Sequence, residues 1–235
     1  MAASAPSLAF VFDLDGVVVD SNDRHVASWQ EVARRHGFAC SAPGYIGKCG
    51  LRTTAVIRDL LHWPVDERTA ERLGFEKEEI YRAGIRRDGI APVPGVLSFL
   101  ARARRLGIRC AIGSSAPREN VDLCLQSLGL TGLFGAVVSG ADVARGKPAP
   151  DIFLKAAADL GAVAPECLVF EDAPAGIVAA HAAGMRVVAL ETSHTRAELA
   201  GADDLARDFT GLDPARLLGA GCGGASGSAA PSGAV

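Results

Sequence analysis

Residues 8–16 read Leu8-Ala9-Phe10-Val11-Phe12-Asp13-Leu14-Asp15-Gly16, which is five apolar residues followed by two carboxylates and a glycine. Five consecutive apolar residues are typical of a strand that is buried on both faces of a parallel sheet. Two carboxylates at positions i and i+2 after such a strand can point into one pocket, and Gly16 lets the chain turn tightly there. Alone, this stretch is also consistent with an Asx-type turn that closes a strand.

Four later segments have the same short, mostly apolar character: Ile108 to Ile112, Ala136 to Val138, Cys167 to Phe170 and Arg186 to Leu190. Stretches with helical spacing lie between them, and several end in glycine, as a left-handed C-terminal cap requires. These helix ends are Leu106-Gly107, Leu128-Gly129, Leu160-Gly161 and Ala183-Gly184. The alternation predicts an α/β fold with a doubly wound parallel, Rossmann-like sheet. Ligands of such sheets bind beyond the carboxyl ends of the strands.

Residues 22–91 separate the first two strands by far more than one crossover helix, and they predict an inserted α-helical cap. Its helices are expected from Ser21-Asn22 to near Gly37, from Thr53 to Leu61 and from Glu67 to Arg87. The remaining residues, 1–21 and 92–218, form the discontinuous catalytic core. Residues 219–235 are almost all Gly, Ala, Ser and Pro, which cannot form a core, so we predict a disordered tail.

Composition excludes several classes of function. Apolar residues make up 49% of the 235 residues and charged residues 22%, which indicates a globular domain with an ordinary surface. The net charge of -3, with Lys and Arg spread along the chain, argues against a nucleic-acid partner. No apolar run approaches the ~20 residues that span a bilayer, and the N-terminus lacks a secretory signal. We therefore expect a cytoplasmic monomer with no membrane partner.

The cysteines are scattered and contain no C-x-x-C pair, which predicts reduced packing residues rather than a disulfide framework or a zinc site. The six are Cys40, Cys49, Cys110, Cys124, Cys167 and Cys222.

Polar residues follow the predicted strands, and together they meet the needs of a bound phosphoryl group. Such a group needs a cation, hydroxyl and amide donors, and a magnesium ion held by oxygen ligands. Lys147 supplies the positive charge, and Ser114 and Ser115 supply hydrogen-bond donors. The predicted magnesium ligands are carboxylates at the strand ends, namely Asp13, Asp15, Glu171 and Asp172. Each residue also has an ordinary structural interpretation, as a solvated lysine or a helix N-cap. Such interpretations would have to hold at all four strand ends at once for the site to be absent.

Four segments resemble the motifs of the haloacid dehalogenase superfamily, in order and over nearly all of residues 8–215. They are Asp13-Leu14-Asp15-Gly16-Val17-Val18-Val19-Asp20-Ser21, Ala111-Ile112-Gly113-Ser114-Ser115, Gly146-Lys147-Pro148-Ala149-Pro150-Asp151 and Phe170-Glu171-Asp172-Ala173-Pro174-Ala175-Gly176-Ile177. The chain is most similar to the branch with a helical cap between the first two motifs. That branch includes β-phosphoglucomutase and many sugar-phosphate phosphatases.

The resemblance implies that Asp13 is the nucleophile that attacks phosphorus, and that Asp15 protonates the leaving oxygen and then activates water. Asp15 argues against the dehalogenating members, because carbon–halogen cleavage has no leaving oxygen to protonate. We therefore predict a Mg²⁺-dependent phosphatase that acts on a small phosphorylated metabolite, such as a sugar or polyol phosphate, through an aspartyl-phosphate. The alternatives are a β-phosphoglucomutase-type hexose-phosphate mutase and a non-catalytic binding module of the same fold.

The cap is expected to select the substrate, because the core motifs serve only the phosphoryl group. By the resemblance, His25 faces the site from the first cap helix, and Arg82 lies near the position of a cap lysine in the mutase. Arg52 and Arg118 are candidates for binding a substrate anion, although each is also consistent with an ordinary surface arginine or a helix start. Ala116-Pro117-Arg118-Glu119-Asn120 departs from the mutase segment that holds a second phosphate, which weakens the mutase alternative.

Overall fold

The structure, a computed structural model, describes residues 8–40 and 51–220. Its strands, in chain order, are β1 (Ala9–Phe12), β2 (Val19–Asp20), β3 (Ala91–Pro92), β4 (Arg109–Gly113), β5 (Ala136–Val138), β6 (Cys167–Glu171), β7 (Arg186–Leu190) and β8 (Asp204–Ala206). Its helices are α1 (Asn22–His36), α2 (Thr53–Ala55), which continues as a π-helix over Val56–Leu61, α3 (Glu67–Asp88), α4 (Val96–Arg105), α5 (Arg118–Ser127), α6 (Asp151–Asp159), α7 (Pro174–Ala182) and α8 (Pro214–Ala220).

Within the described residues, six strands form one parallel sheet in the order β5-β4-β1-β6-β7-β8. Strand β1 lies at the centre, where Phe12 pairs with Ile112 of β4 and with Phe170 of β6. This register brings the carboxyl ends of three strands to one edge, so the residues that follow them are neighbours. The predicted doubly wound α/β fold is confirmed.

The two faces of the sheet are covered by different side chains, because successive residues of a strand point to opposite faces. Phe10 and Phe12 face one layer, where the ring of Phe12 stacks on that of Phe170 with centroids 4.8 Å apart. Ala9 and Val11 face the other layer, with α6 and α7. The β1 segment is fully buried, which explains why its sequence is uninterruptedly apolar.

The cap is built from α1, the α2/π-helix segment and α3, with a small core of its own. Trp29, Val32, Trp63 and Leu73 are buried in that core. Helix α1 ends at His36, close to the predicted end, and is followed by Gly37 with a left-handed φ of 71°. The four glycines predicted as left-handed caps, Gly107, Gly129, Gly161 and Gly184, all have positive φ angles.

Three strands were not predicted, and two of them join the cap to the core. Strands β2 and β3 form an antiparallel ladder in which Val19 pairs with Pro92. The third, β8, extends the sheet beyond β7. Strands β2 and β3 have only two residues each, too few for a hydrophobic period to register, and β8 begins with Asp204 and so lacks the uninterrupted apolar run of β5. The domain limits at residues 21 and 91 stay a prediction.

Four cysteines, Cys40, Cys110, Cys124 and Cys167, are free thiols, while Cys49 and Cys222 lie outside the described residues. Helix α8 includes Gly219 and Ala220, and the rest of the predicted tail, 221–235, also lies outside them. None of the described helices is both long and apolar enough to cross a membrane.

Candidate active site

Asp13 is the first residue after β1, and it is held at the sheet edge by its backbone. Its N–H donates to the carbonyl of Phe170 at 3.0 Å, and its side chain is buried. Burial raises the pKa of Asp13, and Glu171 and Asp15 add to this effect against the opposing charge of Lys147, so that the pKa reaches about 7. A carboxylate in this position is desolvated and reactive toward an electrophile.

Lys147 is the cation at the centre of the site. Its Nζ lies 2.9 Å from Oδ1 of Asp13 and donates to Oε1 of Glu171 at 2.6 Å, and both ion pairs are buried. Burial lowers the pKa of Lys147, but the charges of Asp13 and Glu171 raise it overall, so the ammonium stays charged. The predicted position of this lysine in the phosphate site is consistent with these contacts.

Three of the four carboxylates assigned to magnesium converge. Oxygens of Asp13, Glu171 and Asp172 lie within 4.8 Å of one another, and all three residues are buried. Burial and the neighbouring charges of Glu171 and Asp13 raise the pKa of Asp172 well above its ordinary value. Three clustered carboxylates face one ammonium group, so the charge of the site is incompletely balanced by the protein.

Two glycines make room for this cluster. A Cβ on Gly16, which has a φ of 72°, would lie 1.8 Å from Oδ2 of Asp172. A Cβ on Gly176 in α7 would lie 1.8 Å from Oε1 of Glu171. Glu171 therefore lies directly against the start of α7, where its Oε2 accepts hydrogen bonds from the backbone N–H groups of Asp172 and Ala173 at 2.8 and 2.9 Å.

Asp15 occupies a different environment, because its carboxylate turns toward the cap and not into the group of three. Oδ1 accepts a hydrogen bond from Ser21 at 2.6 Å and lies 3.0 Å from Nε2 of His25. Tyr81 donates to the same oxygen at 3.4 Å. Burial raises the pKa of Asp15, but its interactions with His25 and Ser21 outweigh burial and lower it to about 2.

Ser114 and Ser115 follow β4 at the same edge of the sheet. Ser114 is buried, its N–H donates to the carbonyl of Val138 at 3.0 Å, and its Oγ accepts from the N–H of Ala116 at 3.1 Å. The buried Oγ of Ser115 has no hydrogen-bond partner among the described residues. A buried hydroxyl group without a protein partner can donate a hydrogen bond to an oxygen of a bound anion.

The three arginines suggested for substrate binding are engaged with the protein. Arg52 donates from Nη2 to the carbonyls of Gly140 and Val143 at 2.8 and 2.7 Å. Arg82 is buried and donates from Nη1 to Oδ1 of Asn120 at 2.6 Å. Half-exposed Arg118, the first residue of α5, pairs with Asp122 one turn along the same helix. The structure thus brings none of these guanidinium groups to Asp13.

The sequence matches the family model of the haloacid dehalogenase-like hydrolases over residues 8–184. The chain belongs to this family. It is accordingly a hydrolase. The prediction that it acts on phosphoric monoesters is confirmed by relatives that are phosphatases.

Proteins that resemble the chain over most of its length include two phosphatases and a β-phosphoglucomutase. A validoxylamine A 7'-phosphate phosphatase of Streptomyces hygroscopicus subsp. limoneus is 30% identical, over 85% of this chain and 93% of that protein. The fructose-1-phosphate phosphatase YqaB of Escherichia coli (strain K12) is 32% identical, over 76% of this chain and 93% of its own. The crystal structure of β-phosphoglucomutase from Clostridium difficile superposes with a TM-score of 0.79 at 25% identity, covering 91% of this chain and 96% of that one.

Sequence reasoning singled out His25, which contacts Asp15 from the cap, but it missed the residues of α3 that surround this histidine. Lys77 of α3 lies 2.7 Å from Nδ1 of His25, which stacks on Tyr81 with ring centroids 4.2 Å apart. Because an ammonium group only donates, Nδ1 accepts and Nε2 carries the proton that faces Asp15. Glu78 in turn accepts from Lys77 at 3.0 Å.

A signal for Lys77 was present in the spacing of α3. The buried residues Ala70, Leu73, Tyr81 and Ile85 follow a helical period, and Lys77 stands on that same stripe. A lysine on an apolar stripe is buried only if it is paired, which would have indicated an internal partner.

Proposed function

We propose that the chain is a Mg²⁺-dependent phosphatase that hydrolyses a small phosphorylated metabolite, of the sugar-phosphate or polyol-phosphate type, through a phosphoaspartate at Asp13. The observation that carries the proposal is the buried group of Asp13, Glu171 and Asp172 around Lys147. The substrate class is supported by the relatives, whose names include a validoxylamine 7'-phosphate and a fructose-1-phosphate phosphatase.

The donor set fits magnesium. Asp13, Glu171 and Asp172 would hold the ion, since hard divalent cations prefer carboxylate oxygens and their own waters. Oδ1 of Asp13 is buried without a hydrogen-bond partner in the described residues, although it forms an ion pair with Lys147. When bound, magnesium supplies neutralisation of the negative charge on the phosphoryl oxygens.

In the first half of the reaction, an Oδ atom of Asp13 attacks phosphorus and the bond from phosphorus to the leaving oxygen breaks. Asp15 donates a proton to that oxygen, so the product leaves as an alcohol. Asp15 is ionised in the structure, because its pKa is low. A phosphoryl anion that arrives beside it raises that pKa, which lets Asp15 take up the proton it must deliver.

In the second half, Asp15 is again a carboxylate and accepts a proton from water. The oxygen of that water bonds to phosphorus, the bond from phosphorus to Asp13 breaks, and inorganic phosphate leaves. The covalent intermediate divides one difficult displacement into two easier ones. Ser21 and His25 both donate their hydrogen bonds to Oδ1 of Asp15. Oδ2 is therefore the oxygen that carries the proton in both transfers.

Lys147 and the two serines position the transferred group. The Lys147 ammonium is fixed between two carboxylates and can neutralise a phosphoryl oxygen without reorganisation. Ser114 and Ser115, at the end of the neighbouring strand, can donate hydroxyl hydrogen bonds to the other oxygens. These contacts strengthen as charge builds up in the transition state.

The test is a panel of sugar and polyol phosphates incubated with purified protein and Mg²⁺, with release of inorganic phosphate as the readout. Release that depends on Mg²⁺ and is lost in Asp13→Asn supports the proposal. Isomerisation of β-glucose 1-phosphate primed by a bisphosphate, without net phosphate release, would instead establish the mutase that the structural similarity to β-phosphoglucomutase favours. No reaction with any substrate would point to the non-catalytic module.

A further inference from the structure

The cap carries a buried charge network between Asp15 and the core helix α5. Lys77 and Glu78 are both almost fully buried, and Nζ of Lys77 lies 3.0 Å from Oε1 of Glu78. The same Oε1 accepts from the hydroxyl of Thr53 at 2.6 Å, and Oε2 accepts from Nδ2 of Asn120 at 2.7 Å. Every oxygen of this carboxylate is therefore bound, and Glu78 is held ionised.

The pKa of Glu78 agrees with this geometry. Burial raises the pKa, but the interactions with Lys77 and His25 and the hydrogen bonds from Thr53 and Asn120 outweigh burial and lower it. Lys77 is the cation that reaches toward the leaving-group side of the site, since only His25 separates it from Asp15. Its positive charge is already matched by a carboxylate of the same helix.

Of the described arginines that approach the core from the cap, Arg82 binds Asn120 and Glu79. Arg52 donates to neutral backbone carbonyls, and its Nε is buried without a hydrogen-bond partner among the described residues. A second anionic group that approached Lys77 or Arg82 would have to displace a partner already bound there, and at Lys77 it would lie beside the charge of Glu78. Leaving one member of a buried ion pair uncompensated is strongly unfavourable.

We propose that Glu78 is a specificity-determining residue that restricts the enzyme to phosphomonoesters whose remaining part carries no negative charge. Its carboxylate neutralises Lys77 and repels a second phosphate, whereas an uncharged, hydroxyl-rich group needs no cation. The inference rests on the phosphatase activity proposed above and narrows its substrate class. Specificity of this kind arises from an unfavourable interaction with the wrong substrate as much as from contacts with the right one.

A double substitution at positions 78 and 120 moves the negative charge of Glu78 to position 120 and retains the hydrogen bond between the two side chains. In E78Q, the introduced amide NH₂ would face Nδ2 of Asn120, so two donors would meet. In E78Q/N120D, the amide instead donates to the new carboxylate at position 120, which also accepts from Arg82. The net charge is that of the wild type, but the negative charge now lies against Arg82, and Lys77 is no longer paired.

The experiment measures kcat/KM for matched pairs, such as fructose 1-phosphate with fructose 1,6-bisphosphate and glucose 6-phosphate with glucose 1,6-bisphosphate. We expect the wild type to prefer the monophosphates, and E78Q/N120D to raise the ratio of bisphosphate to monophosphate at least about tenfold. E71Q is the matched control, because Glu71 is an exposed residue of the same helix; its ratio should be unchanged. Melting temperatures of all variants establish that they are folded.

The outcomes separate the two proposals. A wild type that prefers bisphosphates, or a folded double variant whose ratio stays at the wild-type value, would overturn the role of Glu78 and leave the phosphatase proposal intact. A ratio that rises equally in E71Q would also overturn it, because the effect would then not depend on the charge beside Lys77. A wild type that hydrolyses neither member of any pair with Mg²⁺ would overturn both.

Discussion

At the scale of single residues, the two aspartates of the first motif are neighbours in sequence with opposite electrostatic surroundings. Asp13 lies among carboxylates, where burial raises its pKa to about 7, whereas Asp15 faces Ser21 and His25 and has a pKa of about 2. Residues i and i+2 can differ in this way because the chain turns at Gly16. The difference is consistent with the two separate tasks proposed for these residues, attack on phosphorus and proton transfer.

Asp15→Asn tests the proton-transfer task. The amide retains the shape of the side chain but can neither deliver nor accept the proton, so kcat for phosphate release should fall about 100- to 10,000-fold. Asp159→Asn, on the surface of α6, is the matched control and should retain wild-type kcat. Wild-type kcat in Asp15→Asn would show that the leaving group departs without this acid.

At the scale of elements, the start of α7 is shaped by the carboxylate that precedes it. Glu171 accepts two backbone N–H groups there and occupies the space that a side chain at Gly176 would need. Glycine is ordinarily unfavourable inside a helix by roughly 0.5–1 kcal/mol relative to alanine. Glycine is required at position 176 because a larger side chain would collide with Glu171. The backbone conformation does not require it, since the φ of Gly176 is not positive.

Gly176→Ala should therefore destabilise the protein, by about 1–3 kcal/mol, because the added methyl group collides with Glu171. Gly84→Ala is the control within a helix: its methyl group would meet only the flexible end of Arg24, so stability should stay equal or rise. Urea unfolding of both variants measures the difference. Equal stability changes in the two would show that Glu171 does not lie against α7.

Five of the six strands of the sheet were predictable because burial on both faces leaves an apolar signature, as in Phe10 and Val11. The convergence of Asp13 and Glu171 followed from the parallel arrangement of those strands. Lys77 could have been found from its place on the apolar stripe of α3, but Glu78 was missed for a physical reason. Adjacent opposite charges in a helix resemble a solvated surface, and only the tertiary contact with Asn120 shows that Glu78 is buried. The ladder between β2 and β3 was too short to leave a pattern.

At the scale of the whole molecule, the active site gathers like charges in a way that opposes folding. Asp13, Glu171 and Asp172 are buried together, and burial with mutual repulsion raises the pKa of Asp172. The fold tolerates the cluster because β1, β4 and β6 end at one sheet edge and the cap covers it from the side of Asp15. A bound cation would relieve this repulsion and stabilise the whole chain.

Mg²⁺ should therefore raise the melting temperature of the wild type, since a ligand at 100 times its Kd stabilises the folded state by about 2.7 kcal/mol. Asp172→Asn should lose most of this shift, while its melting temperature without Mg²⁺ should equal or exceed that of the wild type. Asp159→Asn should show the wild-type shift. An undiminished shift in Asp172→Asn would place the metal elsewhere on the molecule.

Covalent attack by Asp13 is the central step of the proposed reaction. Rapid acid quench during turnover, followed by mass spectrometry, detects the phosphorylated aspartate that this step forms. We expect one phosphoryl group on the peptide that contains Asp13 in the wild type with Mg²⁺ and a hydrolysed sugar phosphate. In Asp13→Asn, both the phosphorylated peptide and the release of inorganic phosphate should be absent. Phosphate release at the wild-type rate by Asp13→Asn, with no phosphorylated peptide in either protein, would contradict it.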